Sequence, residues 1–268
     1  MSIISIAIQK GGSGKTTTAI NLAAALQQRG KKILLVDVDP QANLTQSLGM
    51  NDEPEFNLFT ELKKEMEGQN GNLEDIIVKI NEGMHLIPSS IELAGAELEL
   101  VSVYGREQLL AWLLKPLEQV YDFILIDCPP AIGMLTVNAL VASRWVLMPL
   151  QAEFLPMKGV QSFMHHLASI IKIKKKLGSE IEVLGFVLTK YDEHKRMNRE
   201  VCHKLEEEFA NKVFSSRIRA NIQLAKAQQA GVDIFTFDKH SHGAEDYNQL
   251  CHEFLARMYE FETTAVSI

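Results

Sequence analysis

The sequence predicts a doubly wound α/β fold, a mostly parallel sheet with helices on both faces. Three observations predict it. Short apolar runs rich in Ile, Leu and Val alternate with longer stretches of helical periodicity, the pattern of strands buried on both faces. A glycine-rich loop joins the first of these strands to the first helix. The chain has 268 residues, enough to bury the core of one large α/β domain.

The elements follow in order. Ser2–Ala7 (SIISIA) reads as a buried strand, and Thr16–Arg29 as a helix ended by Gly30. Lys32–Val38 is the second strand and Met84–Ile87 a short third, closed by Pro88. Between them, Asn51–Gly83 is polar, holds three glycines and a charged piece at Glu61–Glu67, and reads as a surface excursion. Gln108–Val120 is predicted helical and Asp122–Asp127 a strand. Arg144–Leu150 is a strand, Val160–Leu177 a helix, and Glu182–Thr189 a further strand. No internal repeat is present.

Composition narrows the function. Hydrophobic residues make up 46% and charged residues 23%, which argues against long disordered tails. No apolar run approaches the roughly 18–20 residues that span a bilayer, and no charged segment leads a signal-peptide core. The three cysteines, Cys128, Cys202 and Cys251, lack metal-ligand spacing, so free thiols in a reducing cytoplasm are expected. The net charge of −7 excludes a globally basic nucleic-acid binder but not a local basic patch.

The loop is Lys10-Gly11-Gly12-Ser13-Gly14-Lys15-Thr16-Thr17. Gly11, Gly12 and Gly14 let backbone N–H groups turn in around an anion, and the helix start behind them adds partial positive charge. Lys15 is expected on the β- and γ-phosphates of a nucleotide and the Thr16 hydroxyl on Mg2+. The strict G-x-x-x-x-G-K-[ST] pattern would need glycine where Gln9 stands, and a second lysine, Lys10, lies five residues before Lys15. Two more strands end in carboxylates. Asp37-Val38-Asp39-Pro40 closes the second, and Asp127-Cys128-Pro129-Pro130 closes the strand from Asp122. In a parallel sheet these ends share the edge where ligands bind. Asp39 could orient a water or hold metal-bound water there, and Asp127 is expected to hold Mg2+.

At these residues the sequence resembles the ParA/MinD superfamily of deviant P-loop ATPases, in particular Soj-type ParA proteins. KGGSGKTTTAINLAAAL, ILLVDVDPQANLTQSLG, LIPSSIELAGAELEL, FILIDCPPAIGMLTVNAL and SHGAEDY carry the resemblance, in family order, over nearly the whole chain. The resemblance implies roles. Lys10 would be the signature lysine that crosses a homodimer interface to the partner's nucleotide. Lys15 and Thr16 would bind phosphate and Mg2+, with Asp39 in switch I, Asp127 as the Walker B carboxylate, and residues 127–138 as switch II. It also implies ATP as the nucleotide, an ATP-state homodimer, nonspecific DNA binding, a ParB-type stimulating partner and a nucleoid-associated location. Family members without an N-terminal helix-turn-helix begin at the phosphate loop, so one ParA-like ATPase domain is expected over residues 1–268.

The family's DNA-binding arginine in the segment from Thr189 to Arg199 is His194 here, and its proline–arginine–asparagine followed by a second arginine reads Arg219, Ala220, Asn221 and Gln223. Cations persist one step away at Lys195, Arg196, Arg199, Arg217 and Arg219. From Lys190 to Lys226 nine Lys and Arg face six Asp and Glu, a local balance of +3. These five are the candidate phosphate contacts of a DNA face, against the alternative of a solvated helix. Thr189-Lys190-Tyr191-Asp192 mimics the NKxD element that reads guanine. The leading Asn is Thr here, and ParA-like proteins carry a similar strand end while using ATP, so the resemblance favours adenine, with Thr189 and Asp192 as candidate nucleotide contacts.

Smaller features carry less. His165 and His166 are adjacent and cannot share a helix face as a metal pair. Lys172, Lys174, Lys175 and Lys176 read as a solvated helix end that favours the C-terminal dipole. Asn248–Phe261 has helical periodicity with Arg257 as its only cation, so it is expected to pack on the body rather than insert in a membrane. Two function classes follow: a DNA-segregation ATPase, or a related ATPase that positions a protein machine with little DNA binding.

Overall fold

The computed structural model describes residues 2–152, 156–176 and 178–266. Eight strands form one sheet: β1 (Ser2–Ile6), β2 (Ile33–Asp37), β3 (Val78–Asn81), β4 (Met84–Ile87), β5 (Phe123–Asp127), β6 (Trp145–Gln151), β7 (Glu182–Tyr191) and β8 (Val213–Arg219). Their order is β3-β4-β2-β5-β1-β6-β7-β8, parallel throughout except for β3 against β4. The predicted fold class holds. The helices are α1 (Lys15–Gln27), α2 (Asn43–Ser47), α3 (Leu58–Met66), α4 (Leu93–Glu99), α5 (Leu109–Leu114), α6 (Met134–Ala142), α7 (Pro156–Lys176), α8 (Arg196–Phe209), α9 (Ile222–Gln229), α10 (Ile234–Asp238) and α11 (His242–Val266).

The central strands are buried along their whole length, so their side chains feed two cores. One gathers Leu34, Val36, Ile124 and Ile126 with Leu109, Leu135 and Phe163. The other gathers Ile4, Ile6, Leu35 and Leu125 with α1 and the α11 residues Tyr247, Leu250 and Phe254. Burial on both faces is what makes these strands continuously apolar. β1 lies between β5 and β6, so the chain leaves the sheet's middle directly into the glycine loop.

Several expectations change. The segment 51–83 is no mere surface excursion: α3 buries Leu58, Phe59 and Leu62, Leu73 and Ile76 join the core, and β3 adds an edge strand. The helix predicted over Gln108–Val120 is a true α-helix only through Leu114. It then tightens to a 3-10 turn over Lys115–Gln119, because Pro116 has no N–H for the helix ladder. The predicted end of the helix after Val160, Leu177, lies outside the described residues.

Lys174 is not part of a solvated run. It is 3% exposed, and its Nζ donates to the carbonyls of Val141 and Ser143, 2.7 and 2.5 Å away, at the end of α6. The α11 helix packs on the body as expected. Its Arg257 stacks on Phe214 and donates to Val213 O, while Glu253 accepts from the N–H groups of Ser215 and Ser216 on the outer strand β8. That carboxylate covers an edge that would otherwise present bare donors. No helix among the described residues is long and apolar enough to cross a membrane.

Candidate phosphate-binding site

The ends of β1, β2, β5 and β7 meet at one edge of the sheet around a cleft of about 770 Å³. Gly11 through Thr17 form one wall, with Asp39, Gln41, Thr189, Arg219 and Gln228 among the others. Gly12 and Gly14 have φ of 70° and 89°, a left-handed backbone that side chains resist. Gly14 is the residue before α1. That helix has no side-chain cap and no acidic residue in its first turn, so its free N–H groups are open to an anion.

Sequence-predicted residues converge here. Thr16 Oγ1 donates to Asp127 Oδ2 at 2.7 Å, joining the first turn of α1 to the end of β5. Lys15 is buried and its Nζ donates to the Lys10 carbonyl at 3.1 Å. Burial holds the Lys15 ammonium below its ordinary pKa, opposed chiefly by the nearby carboxylates of Asp127 and Asp39. Asp39 is buried and its Oδ1 accepts from Gln41 N at 2.9 Å. Thr17 Oγ1 donates to Gln228 Oε1 at 3.2 Å. Thr189 Oγ1 donates to the Ser13 carbonyl at 2.8 Å, so the end of β7 braces the loop from the side.

Asp127 is the electrostatic anomaly. It is fully buried, and burial first, then the carboxylate of Asp37, pushes its pKa well above the usual range. Asp37 is its register partner across β2 and β5. Burial raises Asp37 as well, to about 7, against three hydrogen bonds from Thr45 N, Thr45 Oγ1 and Asp39 N. The Asp127 Oδ1 atom is buried with no hydrogen-bond partner, and so is Ser13 Oγ within the loop. A buried carboxylate oxygen aimed beside a threonine hydroxyl and a buried lysine fits a hard divalent cation and the phosphate it would accompany.

Other predicted contacts fall elsewhere. Asp192 is not among the cleft-lining residues: β7 runs on to Tyr191, which carries Asp192 past the rim. There its Oδ1 accepts from His194 N at 3.0 Å. The five candidate DNA cations are all engaged within the fold. Lys195 faces Asp192, Arg196 faces Glu200, Arg199 donates to the Glu193 carbonyl, and Arg217 faces Glu206. Arg219 is clamped by Asp246 and Glu245, both at 2.6 Å.

Two structural roles escaped the sequence reading. Asp37, the last residue of β2, accepts from Thr45 N and Thr45 Oγ1 of α2. Asn221 caps α9 at the cleft rim, its Oδ1 accepting from Gln223 N at 2.8 Å. An Asn just before a helix was a legible cap signal. Asp37 had none, since its partner lies eight residues on.

A glycine loop leaving the central parallel strand, an uncapped helix start and a buried lysine with a threonine-tied carboxylate define a P-loop nucleotide-binding protein. A family model described as an AAA domain matches residues 1–183. The sporulation initiation inhibitor protein Soj of Bacillus subtilis is 37% identical over 255 residues, 95% of this chain and 98% of that protein. The chromosome-partitioning ATPase Soj of Thermus thermophilus is 38% identical over 257 residues, covering 96% of both. The solved structure of cobyrinic acid a,c-diamide synthase from Mycobacterium smegmatis with bound ADP and magnesium superposes with a TM-score of 0.82. It is 32% identical and covers 96% of this chain and 95% of that one. The chain belongs to the ParA/MinD superfamily, among the Soj/ParA-type ATPases.

Proposed function

We propose that this chain binds ATP with Mg2+ in the cleft, hydrolyses it to ADP and phosphate, and uses the cycle as a dimerisation switch in DNA segregation. The pairing of Thr16 with Asp127 beside the unpartnered Asp127 Oδ1 carries the reading. The N–H groups of the loop and of α1 cradle the phosphates, and Lys15 exchanges its bond to the Lys10 carbonyl for the β- and γ-phosphate oxygens. Thr16 and Asp127 are the residues that would hold Mg2+, which neutralises charge that builds on the phosphate oxygens. Asp39 orients the attacking water. Lys10 reaches the nucleotide of a second subunit, so the γ-phosphate holds the dimer together and its loss releases it.

The relatives support the nucleotide chemistry more firmly than what lies downstream. One is named a chromosome-partitioning ATPase and another a diamide synthase, yet both are similar to this chain over nearly its whole length. Chromosome or plasmid partition, a ParB-type stimulator and nonspecific DNA at the nucleoid are therefore proposals drawn from the partition branch. A second reading has its own observation. Four of the five candidate cations face a carboxylate of the fold and Arg199 donates to a carbonyl, so part of the charge on the DNA face is already paired. That favours an ATPase that positions a protein assembly and binds DNA weakly.

Three measurements decide. The protein should turn over ATP slowly, and faster than GTP. Lys10→Ala should still bind ATP yet lose ATP-dependent dimers on size-exclusion chromatography and lose turnover. Full activity in that variant would refute the trans-lysine role. ATP-dependent retention of nonspecific DNA that falls steeply with salt supports segregation, and its absence at low salt supports the positioning ATPase.

A further inference from the structure

One strap touches both carboxylate-bearing turns of the site. It runs from Pro88, just after β4, through α4 to Glu99. At its start Ser89 Oγ donates to the Asp39 carbonyl at 2.8 Å, and Ser89 N donates to Thr45 Oγ1 at 3.0 Å. Thr45 Oγ1 in turn donates to Asp37 Oδ2 at 2.7 Å. At its end Glu97 spreads its carboxylate over the first turn of α6, accepting from Met134 N at 2.8 Å and Leu135 N at 3.1 Å. The residue before α6, Gly133, supplies no side-chain cap. A Cβ there would lie 2.7 Å from Glu97 Cδ, so glycine is what admits the carboxylate.

The consequence is mechanical. Residues 128–133 form the loop between Asp127 and α6, and Pro130 brings it to the cleft. Within the loop, Ala131 O accepts from Thr136 Oγ1 of α6 at 2.7 Å, so the start of α6 sets the loop's far end. Glu97 sets the start of α6. Leu93 and Ala96 anchor the strap in the same core as Leu135 and Ala139, which makes it a rigid connection. Two polar contacts eight residues apart, one just before α4 and one on it, therefore tie the Asp39 turn to the loop after Asp127.

We propose that Glu97 is a positioning residue for hydrolysis, holding the loop after Asp127 in register with the Asp39 turn through the Ser89–Glu97 strap. Glu97 lies outside the cleft lining, so it acts through the loop and not on the nucleotide. The inference rests on the ATPase reading above. An amide at this position can accept one of the two N–H groups but presents its own donor to the other, and it removes the negative charge from the helix start. Glu97→Gln should thus loosen the loop while leaving the phosphate cradle intact.

The test compares the wild type, Glu97→Gln, Glu97→Asp, Ser89→Ala and the Ser89→Ala/Glu97→Gln double variant in steady-state ATP hydrolysis. Binding of a fluorescent ATP analogue is measured alongside. Glu97→Gln is expected to lower kcat about tenfold with KM and analogue affinity within twofold of wild type. The double variant should lose less than the product of the single losses, as contacts on one device do. Backbone amide exchange at Met134 and Leu135 should quicken in Glu97→Gln without global loss of protection. If wild type turns over and both Glu97 variants match its kcat, the positioning role is overturned while the ATPase reading stands. A parallel fall in kcat, affinity and Tm in both variants would also overturn it, marking Glu97 as a fold residue only. A wild type that binds the analogue but never hydrolyses ATP would overturn the ATPase reading and this inference with it.

Discussion

Asp127→Asn separates what the carboxylate does for the fold from what it does for the ligand. In the fold it is a liability. It is fully buried, its Oδ1 is unpartnered, and Asp37 stands opposite it in the sheet register. Asparagine keeps an oxygen for the Thr16 hydroxyl and removes the charge. A buried polar atom without a partner costs about 1–3 kcal/mol, and the new amide leaves an unpaired donor that cancels part of the gain. A net stabilisation of about 1 kcal/mol is therefore expected for the free protein in EDTA at pH 8.

The pH dependence has a definite sign. A carboxyl whose pKa is raised on folding keeps a proton that the unfolded chain has released. Wild-type stability accordingly falls as pH rises above the ordinary carboxylate range, and the advantage of the variant should grow from pH 5 to pH 8. With Mg2+ and ATP at a hundred times Kd, wild type should gain about 2.7 kcal/mol, and the variant less than half of that. Urea unfolding followed by far-UV circular dichroism, with and without Mg-ATP, reads all of these quantities. An apo variant less stable than wild type, or one that gains as much from Mg-ATP, would refute the reasoning.

Two further predictions concern the scaffold. Gly185 sits where the β6–β7 register shifts, and a Cβ there would lie 2.7 Å from Phe214 Cε2 and 2.8 Å from Arg257 Nη1. Gly185→Ala should cost about 1–3 kcal/mol by overpacking with ATP affinity unchanged, read by urea unfolding and analogue titration. Lys174→Met strips the Val141 and Ser143 carbonyls of their donor and should destabilise by about 1–3 kcal/mol near pH 7. Burial lowers the Lys174 pKa to about 8 from an unfolded value of 10.5, so the unfolded chain holds the proton more tightly between those values. The wild-type contribution should rise with pH across that window, and the rise should be missing from Lys174→Met in unfolding series from pH 7 to pH 10.

The glycine loop, its lysines and the carboxylates that end two strands were legible because each is a local statement. Spacing decides whether a backbone can wrap an anion, and an apolar run that stops in Asp marks a strand end wherever the strand lies. The interior strands were legible for the same reason, since burial on both faces writes itself as an unbroken apolar run. The outer strands were not. β8 reads Val-Phe-Ser-Ser-Arg-Ile-Arg, and its polar positions make sense only with Glu253 of α11 lying across Ser215 and Ser216. β3 is antiparallel and half-buried, so no apolar run announces it.

What tertiary structure alone decided is the partner of each charge. Lys174 and Lys175 are adjacent and chemically identical, yet only the folded chain brings α6 carbonyls to Lys174 and buries it. Arg219 looks like a free basic residue until Asp246 and Glu245 arrive from a helix more than 25 positions away. Asp192 looks like a base contact until β7 extends two residues and carries it beyond the cleft. Glu97 looks like one more acid on a short helix until α6 starts beneath it. The physical reason is common to all four. Conformational preference and hydrophobic period act over a few residues, whereas desolvation and hydrogen bonding depend on whichever groups the fold brings within about 3 Å. The sequence by itself determined that a loop built for phosphate stands at the mouth of a parallel sheet. The packed structure decided which of its charges remain available to act there.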